Sequence, residues 1–242
     1  MPLPFSIVIP TYNEAAGIEK LLRALAATFD ANGLDGEIIV VDDNSPDGTG
    51  DVVERLAREL PVRCLHRAGK LGLSSAVIDG WAIARSDSTV LGAMDADFSH
   101  DVNALPKMAQ ALESGAYGLA IGSRYVPGGG IANWPKRRII ASRVACWLAR
   151  PLTNVKDVTS GFFLVRRDAL AGVVLDPIGF KIGLEVIAKA HYGKAIEVPY
   201  VFTDRVAGES KLNEREIFNY LKQLGKLYSA WLRPKRAKER VA

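Results

Sequence analysis

The sequence predicts an α/β fold in which helices flank a doubly wound, mainly parallel sheet. Two observations lead to this prediction. Short apolar runs recur along the first half of the 242-residue chain, and a segment with apolar side chains at helical spacing follows each of the first four. Strands and helices that alternate in this way form parallel sheets with right-handed crossovers. A hydrophobic share of 48% and a charged share of 24% exclude a disordered or fibrous chain.

Five strands are predicted from these apolar runs. The runs lack the strict alternation of half-exposed strands and therefore fit a sheet that is buried on both faces. They cover residues 5–10, 37–41, 62–66, 89–94 and 119–122.

Helices are predicted where apolar side chains recur every three or four residues. In the first half these segments are 14–29, 47–60, 72–85 and 102–114, and Asp47 is the expected N-cap of the second.

The second half is less regular. Further helices are predicted over 136–150, 180–190 and 214–232. Between them we expect a flexible Gly/Pro loop over 125–135, a turn and short strand over 157–165, a strand over 195–203 and a polar loop over 204–211.

Acidic clusters follow three of the predicted strands. They are the PTYNE segment at 10–14, the DDNSPDG segment at 42–48 and the pair Asp95 and Asp97. Ligands of open α/β sheets bind at the carboxyl ends of the strands, where these clusters would meet. Their mutual repulsion favours a bound cation or hydrogen-bond donors.

The Asp95-Ala-Asp97 motif is the sharpest chemical signal. In an extended segment its two carboxylates point to the same side, where they suit Mg²⁺ or Mn²⁺ bound together with substrate phosphates. The first strand is not followed by G-x-G-x-x-G, and G-x-x-x-x-G-K-[ST] is absent from the chain. The sequence therefore argues against dinucleotide-binding and P-loop folds.

The net charge of +4 is unevenly distributed. The last ten residues hold five basic residues and one acid, so the other 232 residues sum to zero. A neutral body argues against nucleic-acid binding. Residues 124–156 nevertheless contain seven basic residues and no acid. On a helix that also carries Trp147 and Leu148, such residues suit an anionic membrane surface.

Seven motifs in order resemble family 2 glycosyltransferases with a GT-A fold, and among them the dolichol-phosphate (polyprenol-phosphate) mannose synthases. The resemblance spans about residues 4–230. It implies one catalytic domain over 1–232, with an acceptor-side helix at about 135–150, a C-terminal helix at about 214–232 and a basic tail over 233–242. The motifs are PTYNE at 10–14, VVDDNSPDGT at 40–49, MDADFSH at 94–100, GSRYVPGGG at 122–130, VTSGFFLVRR at 158–167, GFKIGLEV at 179–186 and VPYVFTDRVAGESKLN at 198–213.

The resemblance implies transfer of a sugar, usually mannose from GDP-mannose, to the phosphate of a polyprenol or dolichol, with inversion and with Mg²⁺ or Mn²⁺. Asp95 and Asp97 would hold the metal, and Ser99 stands where some relatives have a Gln ligand. The implied catalytic residues are Asp97, Arg124, Arg138 and Ser142, of which the last three would contact the lipid phosphate. The implied donor-binding residues are Pro10, Tyr12, Glu14, Val41, Asp43, Met94, Asp95, Ala96, Asp97, Arg124, Arg205 and Lys211.

Two residues of the donor set belong to one loop. The resemblance assigns Arg205 and Lys211 to the donor diphosphate, on a segment that we expect to close over the bound donor. Arg138 and Ser142 are four residues apart, hence on one helical face, from which we expect that both can reach a phosphate.

Alternative functions stay open at this point. One is a glycosyltransferase that uses another nucleotide sugar, such as UDP-glucose, because Lys181-Ile-Gly183 differs from relatives with Gln nearby. Another acts on a hydroxyl acceptor, with Asp157 or Glu185 as the base that such an acceptor needs. The third is a non-catalytic scaffold subunit.

The expected location is the cytoplasmic side of a membrane. The N-terminus enters a strand directly, without a secretory signal, and no apolar run approaches the roughly 18 residues of a membrane span. We therefore expect peripheral association, through the basic tail or through a separate membrane subunit.

Overall fold

A computed structural model of the protein describes residues 2–203 and 214–232. The strands are β1 (Phe5–Thr11), β2 (Gly36–Asp42), β3 (Val62–His66), β4 (Val90–Ala93), β5 (Leu119–Ser123), β6 (Gly130–Ala132), β7 (Phe163–Arg166), β8 (Ala195–Pro199) and β9 (Val201–Thr203). The main sheet has seven strands in the order β3-β2-β1-β4-β7-β5-β8, and β6 pairs with β9 in a small second sheet. All pairings are parallel except those of β7 with β4 and β5, which confirms the predicted mainly parallel α/β sheet.

The predicted helices are all present, several of them shorter than expected. A 3₁₀ turn over Val102–Ala104 precedes α4, so the helix predicted from residue 102 begins three residues later. The helices are α1 (Ala15–Asn32), α2 (Thr49–Leu56), α3 (Leu73–Ala82), α4 (Leu105–Glu113), α5 (Lys136–Leu148), α6 (Ile182–Lys189) and α7 (Glu214–Leu232).

Asp47 is not the N-cap of α2, because Gly48 occupies that position with φ 84°. The Asp47 carboxylate still receives hydrogen bonds from the backbone N–H of Thr49 at the start of α2 and of Ala15 at the start of α1, both at 3.0 Å. One side chain thus satisfies N–H groups at the starts of two helices and fixes the β1–α1 and β2–α2 loops against each other.

The Gly/Pro segment over 125–135 is more ordered than predicted. It contains β6, which pairs with β9, and a Cβ on Gly129 would lie 2.5 Å from the carbonyl oxygen of Ser123. This close backbone approach explains the glycine physically. The strand predicted over 195–203 likewise divides at Tyr200 into β8, in the main sheet, and β9, in the small one.

The sheet is covered on both faces, as a doubly wound fold requires. Alternate residues of β1 and β2 enter two separate hydrophobic clusters. Ile7 and Ile38 pack with α1, α2 and α4 on one face, whereas Val8 and Ile39 pack with α3, α6 and α7 on the other.

The parallel register brings the predicted acidic clusters to one edge. Pro10 pairs with Val41, and the backbone N–H of Asp43 donates to the carbonyl of Thr11 at 3.0 Å. No helix in the described part of the chain is both long and apolar enough to cross a membrane. The predicted loop over 204–211 and the basic tail over 233–242 lie outside the described residues.

Candidate active site

A cavity of about 360 Å³ opens beside the carboxyl ends of β4 and β5. It joins side chains from motifs that are far apart in the sequence. Its polar lining is Asp95, Asp97, His100, Arg124, Arg138, Ser142, Thr159, Ser160, Lys181 and Glu216. Both predicted metal ligands and all four predicted catalytic residues therefore lie in one lining.

The two carboxylates of the DxD motif share this cavity because of a tight turn. Ala96 between them is buried, whereas Asp95 and Asp97 are partly exposed. Phe98 then adopts φ 58°, and the backbone N–H of Ser99 donates to Asp97 Oδ1 at 3.1 Å. The chain leaves the strand direction here and keeps both carboxylates at the cavity wall.

His100 contacts Asp95 from the buried side of the cavity wall. Its Nε2 lies 3.3 Å from Asp95 Oδ2, and its Nδ1 lies 2.9 Å from the hydroxyl of Tyr200. His100 is buried, and its ring contacts those of Phe162 and Phe202. These contacts hold the imidazole in one orientation, which in turn restricts the orientation of the Asp95 carboxylate.

The residues present fit a divalent ion that keeps several non-protein ligands. Among the described residues no three His, Cys, Asp or Glu side chains gather closely enough to hold a metal. Asp95 and Asp97 offer two carboxylates, a set that suits Mg²⁺-like ions completed by water and phosphate oxygens. Ser99, the predicted place of a third ligand, is 2% exposed and does not line the cavity. Its buried Oγ has no hydrogen-bond partner in the described part of the chain.

Arg124 is held by a buried ion pair. Its Nε and Nη2 donate to the two carboxylate oxygens of Asp157 at 2.7 and 2.6 Å, and Nη2 also donates to Thr159 Oγ1 at 2.7 Å. Burial opposes ionisation of Asp157, but the hydrogen bonds and charge of Arg124 outweigh it and hold the pKa of Asp157 below its usual range. The guanidinium is thereby fixed in the cavity wall.

The polar face of α5 adds a second guanidinium and a hydroxyl. The Arg138 guanidinium lies 3.7 Å from the ring centroid of Trp134, a cation–π contact that restricts its position. Ser142 Oγ lies 3.1 Å from Thr159 Oγ1. Because Thr159 also contacts Arg124, it links the two basic parts of the site. The result is a preorganised anion-binding wall.

The other half of the cavity is apolar and lies between α5 and α7. The helices are joined by hydrogen bonds from the hydroxyls of Tyr220 and Tyr228 to the carbonyls of Ala145 and Leu148, both at 2.6 Å. The apolar lining in this half is Val144, Ala145, Leu148, Phe180, Ile217 and Leu221. A ligand with an anionic head and an apolar chain matches the two halves.

The remaining predicted donor-binding residues lie at the same sheet edge but outside the cavity lining. They are Pro10, Tyr12, Glu14, Val41, Asp43, Met94 and Ala96. The side chains of Val41, Met94 and Ala96 are buried, so these residues offer mainly backbone atoms to a ligand. Tyr12 is exposed, and the Lys70 ammonium lies 4.1 Å from its ring centroid. Their role in donor binding stays a prediction.

Arg67 is a residue that the sequence reasoning missed. It is 8% exposed, and its Nε donates to Asp43 Oδ1 at 2.6 Å. Asp43 Oδ2 also accepts the backbone N–H of Leu71 and of Gly72, at 3.1 and 3.2 Å. Arg67 and Asp43 therefore fix the loop that borders the predicted nucleotide site. The position of Arg67 directly after β3, at the carboxyl edge of the sheet, was the available signal.

Trp134 was also missed, although it stands just before the basic helix.

Asp157 and Glu185, the bases considered for a hydroxyl acceptor, are both fully buried. Glu185 accepts the backbone N–H of Asp176 at 3.0 Å and pairs with Lys189. Neither carboxylate lines the cavity, which argues against either as a base. The predicted donor ligands Arg205 and Lys211 lie outside the described residues.

Two known proteins are similar to this chain in sequence over most of its length. The chain is 42% identical over 226 residues to the dolichol-phosphate mannosyltransferase of Pyrococcus furiosus, covering 92% of this chain and 63% of that protein. It is 39% identical over 239 residues to the dolichol-phosphate mannosyltransferase of Saccharomyces cerevisiae, covering 94% of this chain and 88% of that protein.

Solved structures with low sequence identity share the fold. The mannosyltransferase PcManGT of Pyrobaculum calidifontis, in complex with GDP-Man and Mn²⁺, superposes with a TM-score of 0.61 at 17% identity, covering 98% of this chain and 68% of that one. Glucosyl-3-phosphoglycerate synthase of Mycobacterium tuberculosis gives a TM-score of 0.67 at 18% identity, covering 97% and 82%. These likenesses confirm the predicted GT-A fold.

The sequence model of the family described as "Glycosyl transferase family 2" matches residues 6–173, which include the DxD motif and most of the cavity's polar wall. Together with the two relatives, this match confirms the predicted resemblance: the chain belongs to the family 2 glycosyltransferases.

Proposed function

We propose that this protein transfers mannose from GDP-mannose to the phosphate of a polyprenol or dolichol. The observation that carries the proposal is the single cavity that joins the DxD carboxylates, an anion-binding wall and an apolar groove. The names of the relatives in Pyrococcus furiosus and Saccharomyces cerevisiae support mannosyl transfer and a dolichol phosphate acceptor, and the GDP-Man bound to PcManGT supports the donor. Because the chain spans 63% of the Pyrococcus furiosus relative, its activity is inferred from its own cavity as well.

The acceptor would bind with its phosphate at Arg124, Arg138 and Ser142. Its first isoprene units would then extend along the apolar lining between α5 and α7. Arg138 and Ser142 face the cavity from the same helix, and Thr159 fixes the hydroxyl relative to Arg124. Both substrates are anions, so the basic wall also offsets the repulsion that opposes their approach.

The reaction would need no protein base. A prenyl phosphate is already an anion at neutral pH, so its oxygen attacks the anomeric carbon of the sugar directly. As this bond forms, the bond between that carbon and the donor's β-phosphate oxygen breaks, and GDP leaves with the electron pair. In-line attack inverts the anomeric configuration. The burial of Asp157 and Glu185 agrees with chemistry that does not call on a carboxylate base.

A divalent ion, Mg²⁺ or Mn²⁺, would be held by Asp95 and Asp97 and would supply positive charge to the leaving diphosphate. His100 would keep Asp95 oriented for that ligation. Gly161 leaves room for the Asp95 carboxylate. A Cβ at residue 161 would lie 3.3 Å from Asp95 Oδ2, against the carboxylate.

The donor would occupy the sheet edge next to Asp95 and Asp97. The residues proposed to surround the nucleoside are Pro10, Tyr12, Glu14, Val41, Asp43, Met94 and Ala96. Arg67 would act indirectly, since it holds the Asp43 carboxylate and the 71–72 backbone in place. Contacts of Arg205 and Lys211 with the diphosphate belong to the proposal on the strength of the sequence motif alone.

Contact with a membrane surface would deliver the acceptor. Exposed apolar side chains extend from the cavity along α5 and α7, next to the basic residues of 124–156. They are Ile140, Val144 and Trp147 on α5 and Ile217, Phe218, Leu221, Trp231 and Leu232 on α7. We infer peripheral association with the cytoplasmic leaflet, with or without a separate membrane subunit.

The direct test compares two acceptors that differ by one group. Farnesyl phosphate and farnesol are incubated with GDP-mannose and Mn²⁺, and sugar transfer to each is measured; UDP-glucose replaces GDP-mannose in parallel reactions. We expect turnover with farnesyl phosphate and none with farnesol. Transfer to farnesol would contradict the proposed acceptor, and transfer from UDP-glucose in preference to GDP-mannose would contradict the proposed donor.

A further inference from the structure

Lys181 is a third cation in the cavity wall, in addition to Arg124 and Arg138. It precedes α6 and donates from Nζ to the backbone carbonyl of Thr159 at 3.2 Å. Its ammonium lies 4.4 Å from the ring centroid of Phe180. Within residues 2–203 and 214–232 no carboxylate lies within ion-pair distance of it.

A half-buried ammonium that lacks an ion-pair partner is costly, and such groups concentrate at ligand sites. Burial and the nearby charge of Arg124 lower the pKa of Lys181 to about 8, although the charges of Asp95 and Asp157 act in the opposite direction. The protein alone therefore stabilises its charged form poorly. An anion bound in the cavity would supply the missing partner.

The surroundings of Lys181 indicate which anion this is. The carbonyl of Thr159 anchors Lys181, while the hydroxyl of the same residue contacts Ser142 and Arg124. Phe180, which immediately precedes Lys181, belongs to the apolar lining along which the acceptor's isoprene chain would extend out of the cavity. Lys181 thus lies at the junction between the anion-binding wall and the apolar groove.

Charge balance points the same way. The charge of Arg124 is largely offset by Asp157, with which it forms a buried ion pair. A phosphate monoester carries up to two negative charges at neutral pH, so a cation in addition to Arg124 and Arg138 would strengthen its binding. Lys181 supplies one as a compact charge with donors to spare.

We propose that Lys181 binds the phosphate of the acceptor together with Arg138 and Ser142. This inference rests on the proposed function and deepens it. It makes the acceptor site selective for a phosphate monoester that is attached to an apolar chain.

The test uses Lys181→Met, which keeps the length and apolar stem of the side chain, and Lys181→Arg, which keeps the charge. Lys107→Met, at an exposed position of α4, is the matched control. Dissociation constants for farnesyl phosphate are measured by calorimetry without donor, and KM is measured for both substrates. Lys181→Gln replaces the Met variant if thermal unfolding shows that the latter is not folded.

A charge-assisted hydrogen bond predicts that Lys181→Met weakens farnesyl phosphate binding about tenfold or more. The KM for the acceptor should rise in parallel, while the KM for GDP-mannose stays within about twofold of the wild-type value. Lys181→Arg should recover part of the loss, and Lys107→Met should match the wild type.

Unchanged farnesyl phosphate binding in an active Lys181→Met enzyme would overturn the inference. A rise in the KM of the donor alone would also overturn it, because Lys181 would then serve the donor. Failure of the wild type to transfer sugar to farnesyl phosphate would instead contradict the proposed function, so the two failures are distinguishable.

Discussion

Asp157 receives three hydrogen bonds from Arg124, two from the guanidinium and one from the backbone N–H at 2.9 Å. The pair ties the end of β5 to the segment before β7, although 33 residues separate the two partners. The Arg124 guanidinium, which lines the candidate active site, is thus fixed before any substrate binds.

This relationship predicts a large loss of stability in Asp157→Asn. Removing one partner of a buried pair leaves an uncompensated charge, at a cost of roughly 3–5 kcal/mol in the free energy of unfolding. Asp168→Asn is the matched control, because the Asp168 side chain is 70% exposed and pairs with Arg166 on the surface. Its cost should stay below about 1 kcal/mol. Equal losses for both variants in urea denaturation would contradict the role of the pair.

The same pair predicts a pH dependence. The pKa of Asp157 in the folded protein lies below its usual range. Its contribution to stability is therefore fully present above the unfolded pKa of about 3.9 and is lost as the pH falls through the folded pKa. Relative to Asp157→Asn, the wild type should lose its stability advantage progressively below about pH 4. Urea denaturation of both proteins at pH 7, 5, 4 and 3.5 measures this difference, and a constant difference would contradict it.

Asp97→Ala should abolish sugar transfer without unfolding the protein. Asp97 is partly exposed in a loop, and it is a predicted metal ligand. Calorimetry with GDP, with and without Mn²⁺, should show metal-dependent nucleotide binding in the wild type and none in the variant. Asp87→Ala is the control, because the Asp87 side chain is 68% exposed and precedes β4, whereas the motif follows that strand. Undiminished transfer by Asp97→Ala would refute its role.

Trp134→Leu should weaken acceptor binding by releasing Arg138. Loss of a cation–π contact of about 0.5–2 kcal/mol predicts a rise of roughly 2- to 30-fold in the KM for farnesyl phosphate. The KM for GDP-mannose should change little. Trp147→Leu, at a residue that does not line the cavity, should leave both constants near the wild-type values when a short acceptor is used. A rise in the donor KM alone would argue against this role of Trp134.

The exposed apolar side chains of α5 and α7 predict membrane binding. The double variant Trp147→Ser and Phe218→Ser should bind vesicles of anionic phospholipid about tenfold less tightly or worse, while it still transfers sugar to a short acceptor. Val174→Ser, at an exposed apolar residue in the segment between β7 and α6, is the control. Vesicle sedimentation measures the difference. Equal binding by all three proteins would mean that this face does not contact lipid.

Much of this site follows from sequence patterns that depend on local chemistry. The apolar runs predict β1–β5, and the parallel register then brings the acidic segments after β1, β2 and β4 to one edge. The four-residue spacing of Arg138 and Ser142 places both in the cavity lining. These inferences succeed because strand burial and helical periodicity leave a direct trace in the order of residues.

Other features depend on partners distant in the chain and leave no such trace. The antiparallel direction of β7 is not visible in its residues, because FLVR is as apolar as a parallel strand would be. Arg124 appears in sequence as a free cation, whereas in the fold Asp157 occupies much of its hydrogen-bonding capacity. The stacking of Arg138 on Trp134 and the anchoring of Lys181 by Thr159 likewise arise only from tertiary packing.

The central claim is that an acceptor phosphate oxygen displaces GDP from the sugar without a protein base. The most direct test is NMR analysis of the purified product of GDP-mannose and farnesyl phosphate. We predict a phosphodiester between the anomeric carbon and the lipid phosphate, with the anomeric configuration inverted relative to the donor. A product whose sugar is joined to a hydroxyl oxygen, or one that retains the donor's configuration, would contradict the account.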